Sequence, residues 1–220
     1  MFFSTIAVYG EATGAVLTEE SPVRPATLYA KTKAEAERIV LAARTANGTP
    51  MGVVLRPGSV YGARVKGNYR RLVCALARRR FVPVGPGNNR RAMVYDKDVA
   101  DAAVLAATNP AAAGRVYNVS DGEAHTLREI IEAICGALGR RPPRWHVPMR
   151  PVRVGVGLVE GAARIVGARP PVSRATIDKY IEDMAVDSHR IREELGFVPR
   201  YNLREGWRET IAMMREAGEL

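Results

Sequence analysis

The order of three segments near the N-terminus constrains this fold most. Phe2 to Val8 is a short apolar run ended by Gly10. Residues 28–47 carry Ala34, Ala36, Ile39, Val40 and Ala43 at helical spacing, and Asn47-Gly48 supplies the stop. Met51-Gly-Val-Val-Leu-Arg56 is a second apolar run, stopped by Pro57-Gly58. Strand, helix and strand in that order form a βαβ unit, which implies buried parallel strands and a right-handed crossover. The expected fold class is α/β.

The remaining chain continues that pattern. Residues 11–27 read as a loop broken by Pro22 and Pro25. Asn68 to Arg80 reads as a helix with a basic face, Phe81 to Val84 and Ala92 to Tyr95 as short strands. Asp98 to Thr108 is an alanine-rich helix and Val116 to Ser120 a strand. Thr126 to Leu138 is a helix with its own start signal: Thr126 can cap it, Glu129 completes a capping box, and Gly139 follows. Further helices are expected over Val152 to Val166, Ala175 to Asp183, Ser188 to Leu195 and Leu203 to Ala217, the last with Trp207, Ile211 and Met214 on its core face. No internal repeat or low-complexity tract interrupts the chain.

Charge separates the function classes. The 220 residues include 33 Lys and Arg against 23 Asp and Glu, a net charge of +10. Such a balance suits nucleic acid, a membrane surface, a phosphate-bearing substrate or simply a basic surface. The arginine pairs Arg70-Arg71, Arg90-Arg91 and Arg140-Arg141 come with no nucleic-acid-binding motif. No segment has the length and apolarity of a membrane span, and the N-terminus lacks the basic region and cleavage site of a signal peptide. Cys74 and Cys135 have neither framework nor metal spacing, and His125, His146 and His189 are scattered. These features describe a cytoplasmic chain without a visible metal site, nucleic-acid partner or membrane partner.

One pair carries chemistry. Tyr29 and Lys33 are spaced i, i+4 at the start of the first helix, so phenol and ammonium share a face. A cation beside a phenol favours the phenolate and makes it usable as an acid or base. Alone, Tyr-x-x-x-Lys is also a common surface-helix pattern, and its neighbours must decide.

Those neighbours form an ordered set. Phe3-Ser-Thr-Ile-Ala-Val-Tyr-Gly10 precedes the pair, and Leu55-Arg-Pro-Gly-Ser-Val-Tyr-Gly62 follows it. Then come Gly67-Asn-Tyr69, Arg90-Arg-Ala-Met-Val-Tyr-Asp-Lys-Asp98, Val116-Tyr-Asn-Val-Ser-Asp-Gly122 and Asp187 to Pro199 with its Leu-Gly-x-x-Pro ending. Together they resemble the extended short-chain dehydrogenase/reductase group, the NAD-dependent epimerase/dehydratase family, and especially its UDP-glucose 4-epimerase-like members. The resemblance covers nearly the whole chain. It implies the C-terminal part of a Rossmann-type parallel sheet with a smaller, mostly helical substrate-binding lobe. Residues 1–122 would belong to the first, with substrate-loop insertions at about 63–97, and residues 123–220 to the second.

The resemblance also implies roles. Tyr29 would take a proton from a sugar hydroxyl, and Lys33 would support it and bond the nicotinamide ribose of NAD. Thr5 would hydrogen-bond the reacting hydroxyl, or else bond backbone at a strand end. Pro57 would border the nicotinamide and Ser59 the sugar. Arg91 and Asn68 would hold the diphosphate, unless Arg91 forms a surface ion pair and Asn68 caps its helix. Asp98 reads as a helix cap. The implied cofactor is NAD, the implied partner a nucleotide-sugar such as a UDP-hexose, and a homodimer is allowed. Two alternatives stay open: an inactive remnant that binds a nucleotide-sugar or a protein without NAD, and a dehydrogenase of steroid-like alcohols.

One departure is large. The family opens with Gly-x-x-Gly-x-x-Gly between a first strand and helix, where backbone amides hold the NAD pyrophosphate. That turn does not occur here. About three βα units, on the order of a hundred residues, would precede this chain in the family's layout. The strand at residues 2–8 is then expected to be a hydrophobic sheet edge.

Overall fold

A computed structural model describes residues 1–12, 14–149, 151–152, 156 and 182–220. In chain order the strands are β1 (Phe2–Phe3), β2 (Val16–Leu17), β3 (Val54–Pro57), β4 (Ser59–Tyr61), β5 (Arg90–Tyr95), β6 (Val116–Val119), β7 (Ala124–Thr126) and β8 (Ala185–Val186). The α-helices are α1 (Leu28–Ala42), α2 (Gly67–Ala77), α3 (Asp96–Thr108), α4 (Leu127–Leu138), α5 (His189–Leu195) and α6 (Leu203–Glu216). The helices expected over Val152 to Val166 and Ala175 to Asp183 fall largely outside the described residues.

The βαβ expectation holds. β1, α1 and β3 follow one another, and the sheet runs β1-β3-β6 with both pairings parallel. Val54 lies opposite Phe2 and Val116, and Pro57 opposite Val119. Every residue of β3 is buried, as a central strand covered on both faces must be. Among the described residues β1 is an edge, and Phe3 is 40% exposed.

β1 is shorter than the apolar run suggests. The chain leaves the sheet after Phe3 and enters a 3-10 turn at Ile6–Tyr9, because the Thr5 hydroxyl accepts the Ala7 N–H and starts that turn. Phe81 to Val84 is likewise not a strand: only Val84 makes a bridge, to Val147.

Two further small sheets, β4-β5-β7 and β2-β8, carry the rest. β4 pairs in parallel with β5, and β5 antiparallel with β7. α4 and α6 pack over this side. Thr126 and Glu129 form the expected capping box, Gly139 is left-handed, and Leu127, Ile130, Ile131, Ile134 and Leu138 line the buried face. α6 adds Trp207, Ile211 and Met214, all fully buried. Each fully buried aliphatic side chain in this cluster contributes roughly 1.5–3 kcal/mol. Trp207 stacks on Tyr61 at 4.7 Å between ring centroids. Gly206 permits this, since a Cβ there would lie 2.4 Å from the Tyr61 hydroxyl.

α1 departs from its expected packing. Its buried residues are Ala30 and Glu37, whereas Ile39 is 60% exposed. Ala34, Ala36 and Val40 are half-buried at the flank, because the centre of the inner face is taken by a carboxylate that meets an arginine of β3. Asp98 also differs from its expected role. It lies buried in the first turn of α3, and its carboxylate accepts the backbone N–H groups of Arg200 and Tyr201 at 2.9 and 3.2 Å. It fastens the approach to α6 instead of capping its own helix.

Candidate active site

The carboxyl ends of parallel strands are where α/β sheets bind ligands, because the connecting loops diverge there. β1, β3 and β6 end side by side at Phe3, Pro57 and Val119, with Ser4 N–H bonded to the Leu55 carbonyl and Gly58 N–H to the Val119 carbonyl. Thr5 lies just past the end of β1 and Pro57 closes β3. The Thr5 oxygen accepts from Ala7 N at 3.2 Å, which leaves the hydroxyl proton free to be donated.

α1 delivers the Tyr–Lys pair to this edge. Thr27 caps the helix through Ala30 N at 3.1 Å, so Tyr29 falls in the first turn, 56% exposed. Lys33 follows one turn later and its Nζ donates to the Phe3 carbonyl at 2.8 Å. The same nitrogen lies 5.9 Å from the centre of the Tyr29 ring and 4.8 Å from that of Phe2. One hydrogen bond therefore ties the ammonium and its neighbouring phenol to the end of β1, two residues before Thr5.

A second polar group begins one residue beyond Pro57. Gly58 joins β3 to β4, and a Cβ there would lie 2.7 Å from the Ala92 carbonyl oxygen, so the two sheets can meet at this point only over glycine. Ser59 opens β4 opposite Met93. Burial raises the Tyr69 phenol above its ordinary value, offset by the Arg91 charge and a hydrogen bond from Ser59. Tyr69 thus gathers Ser59 and Arg91 around one phenol. Arg91 is largely buried and lies 3.8 Å from the Glu182 carboxylate. Asn68 lies exposed in the first turn of α2, where the cap position belongs to Lys66. Tyr69 was not singled out from sequence as a site residue, although it adjoins Asn68 in a motif that was.

Beneath the edge runs a buried polar network that sequence reading missed. Arg56 forms a two-pronged pair with Glu37, Nε to Oε1 at 2.9 Å and Nη2 to Oε2 at 2.6 Å, both side chains 5% exposed. Its Nη1 donates to the Tyr9 hydroxyl at 2.9 Å, which donates in turn to Asn118 Oδ1 at 2.8 Å. Asn118 Nδ2 reaches the Asp187 carbonyl, and its backbone N–H reaches Glu19. The available signal was a charged residue within each apolar pattern: Arg56 at the end of its apolar run, Glu37 one turn beyond Lys33.

No helix among the described residues is long and apolar enough to cross a membrane. Comparison with known proteins agrees with this architecture. The UDP-glucose 4-epimerase of Vibrio cholerae is 29% identical over 99% of this chain and 63% of its own length. An undecaprenol-linked N-acetylglucosamine 4-epimerase of Escherichia coli O157:H7 is 26% identical over 96% of this chain and 63% of its own length. The chain thus spans less than two thirds of the curated relatives it matches. Among solved structures, the Thermus thermophilus UDP-glucose 4-epimerase in complex with NAD superposes with a TM-score of 0.68 at 27% identity, covering 98% of this chain and 63% of that one. MoeE5 in complex with UDP-glucuronic acid and NAD gives 0.71 at 26%, covering 98% and 64%. The model of the NAD dependent epimerase/dehydratase family matches residues 1–120, more than half of the chain. With its parallel sheet, its Tyr29–Lys33 helix and this match, the chain belongs to the NAD-dependent epimerase/dehydratase family.

Proposed function

We propose that this chain supplies the acid–base and substrate side of an NAD-dependent sugar-nucleotide epimerase or dehydratase. The observation that carries this is the Lys33–Phe3 hydrogen bond, which brings the Tyr29–Lys33 pair to the strand end that bears Thr5. Tyr29 is the acid–base group that exchanges the proton of a sugar hydroxyl. Lys33 stands beside it, 5.9 Å from the ring centre, and Thr5 donates its free proton to the reacting oxygen. NAD, when bound, supplies the hydride acceptor.

The residues present suit the nicotinamide–ribose end of NAD. An ammonium has three N–H donors, so Lys33 keeps two beyond the Phe3 bond for ribose hydroxyls. Pro57 borders that place and offers no N–H of its own. The pyrophosphate end depends on a glycine turn that this sequence does not contain. On the substrate side Arg91 and Asn68 would contact the diphosphate and Ser59 the sugar, with arginine's planar fork matched to phosphate oxygens. A UDP-hexose fits this set, in line with the UDP-sugars named for two of the relatives and with the net charge of +10. Exposed Leu28 and Ile39 on α1 favour a homodimer through that helix, and two free thiols favour a reducing, cytoplasmic setting.

Two measurements test the assignment: NAD titration, and keto-sugar formation from a panel of UDP-hexoses by wild type and Tyr29→Phe. Turnover lost in the variant supports it. Turnover equal in both overturns Tyr29 as the acid–base group. Binding of UDP-hexose without NAD would instead favour a substrate-binding remnant.

A further inference from the structure

Helix α1 is docked in an unusual way. An amphipathic helix normally takes its rotation about its own axis from a stripe of buried apolar side chains. α1 buries one alanine, Ala30, and one carboxylate, Glu37, while Leu28 and Ile39 are 79% and 60% exposed. Ala34, Ala36, Val40 and Leu41 are only half-buried, so apolar contact alone defines its rotation weakly. Two polar anchors remain. Lys33 is held by the Phe3 carbonyl of β1, and Glu37 by the Arg56 guanidinium of β3.

The anchors lie one turn apart, about 6 Å along the axis and about 40° in azimuth. They attach the helix to two adjacent strands. A single anchor would leave α1 free to roll about that point, whereas two fix both roll and slide. Tyr29 lies one turn above Lys33 on the same side, so its direction follows from the same two attachments.

We propose that Glu37 and Arg56 are positioning residues: their buried ion pair sets the rotation of α1 and thereby aims Tyr29 and Lys33 at the carboxyl ends of the strands. The fork geometry supports this. A two-pronged guanidinium–carboxylate pair constrains orientation as well as distance, which a single point contact does not. Arg56 is itself held from its other side by the Tyr9 hydroxyl, and Tyr9 by Asn118. The guanidinium thus belongs to the sheet and Glu37 is the movable partner. This inference rests on the acid–base role proposed for Tyr29.

The test uses Glu37→Gln, which keeps size but leaves one acceptor oxygen and turns an N–H donor toward the guanidinium, and Arg56→Lys, which keeps charge but loses the fork. Hydrogen exchange of the full chain, well below its melting temperature, is expected to show α1 amides exchanging about tenfold faster in both variants. The β3–β6 ladder is expected to remain as protected as in wild type. In turnover, kcat is expected to fall about 100-fold with KM for the nucleotide-sugar within about twofold, because Arg91 and Ser59 lie off α1. Unchanged exchange in α1 overturns the proposal, as does full kcat in Glu37→Gln where Tyr29→Phe abolishes turnover. The exchange arm requires no turnover. A failure of the acid–base assignment would therefore appear only in the Tyr29→Phe control.

Discussion

The Nζ of Lys33 donates a 2.8 Å hydrogen bond to the main-chain carbonyl of Phe3, the last residue of β1. A side chain on a crossover helix is thereby fastened to the carboxyl end of the strand that precedes it. The bond matters because the same ammonium lies 5.9 Å from the centre of the Tyr29 ring.

Tyr29→Phe is expected to separate activity from stability. The ring is 56% exposed, so loss of its hydroxyl should alter unfolding free energy by no more than about 0.5 kcal/mol. Loss of an acid–base group lowers turnover by about 10²–10⁴-fold. Lys33→Met should lower both, since it also removes the Phe3 tether, at about 0.5–1.5 kcal/mol. Urea unfolding and keto-sugar formation measured on the same preparations check the contrast.

Gly58→Ala is expected to destabilise although the glycine is small and the change smaller. Its Cβ would press on the Ala92 backbone oxygen at 2.7 Å, a partner that cannot rotate away. The cost should be about 1–3 kcal/mol, read as a lower melting temperature. A melting temperature equal to wild type would mean that β3 and β5 can move apart at no cost.

Asp98→Ala strands the N–H groups of Arg200 and Tyr201 in a half-buried place. A loss of roughly 2–4 kcal/mol is expected. Asp98→Asn should cost less, because its one carbonyl oxygen still accepts. Equal losses in the two variants would show that the charge, not the acceptor geometry, holds the segment.

His125 gives a pH dependence of definite sign. Burial by itself would lower its pKa, but the 2.6 Å contact with Asp121, with the charges of Glu123 and Glu129, outweighs burial and raises it. A raised histidine contributes stability in full below its unfolded value near 6.5, and that contribution is lost as pH rises through the folded value. Wild type should therefore lose stability relative to His125→Gln as pH rises from below its unfolded value through its raised folded value. Urea midpoints at the two ends check it, and parallel midpoints for both proteins would remove His125 as the source.

Much of the fold is legible from sequence because the signals are local. Thr126, Glu129 and Gly139 mark the ends of α4 with groups that bond their own turn, and the Ile130–Ile134 face follows from helical period alone. The same holds for the buried Trp207–Ile211–Met214 face of α6. The site is legible only in part. Tyr29 and Lys33 show as a pair because they are one turn apart, whereas Tyr69 meets Ser59 and Arg91 across three elements.

By itself, then, the sequence determined the βαβ order, the capped helices and the ordered motifs around Tyr29–Lys33, since each is written within one turn or one strand. Tertiary structure decided which face of α1 looks inward. The period favoured Ala34, Ile39 and Val40, yet Ile39 is exposed, Ala34 and Val40 are half-buried, and Glu37 is the residue fully buried beside Ala30. A carboxylate can be buried when an arginine is already buried opposite it, and Arg56, nineteen residues away, is brought there by the sheet.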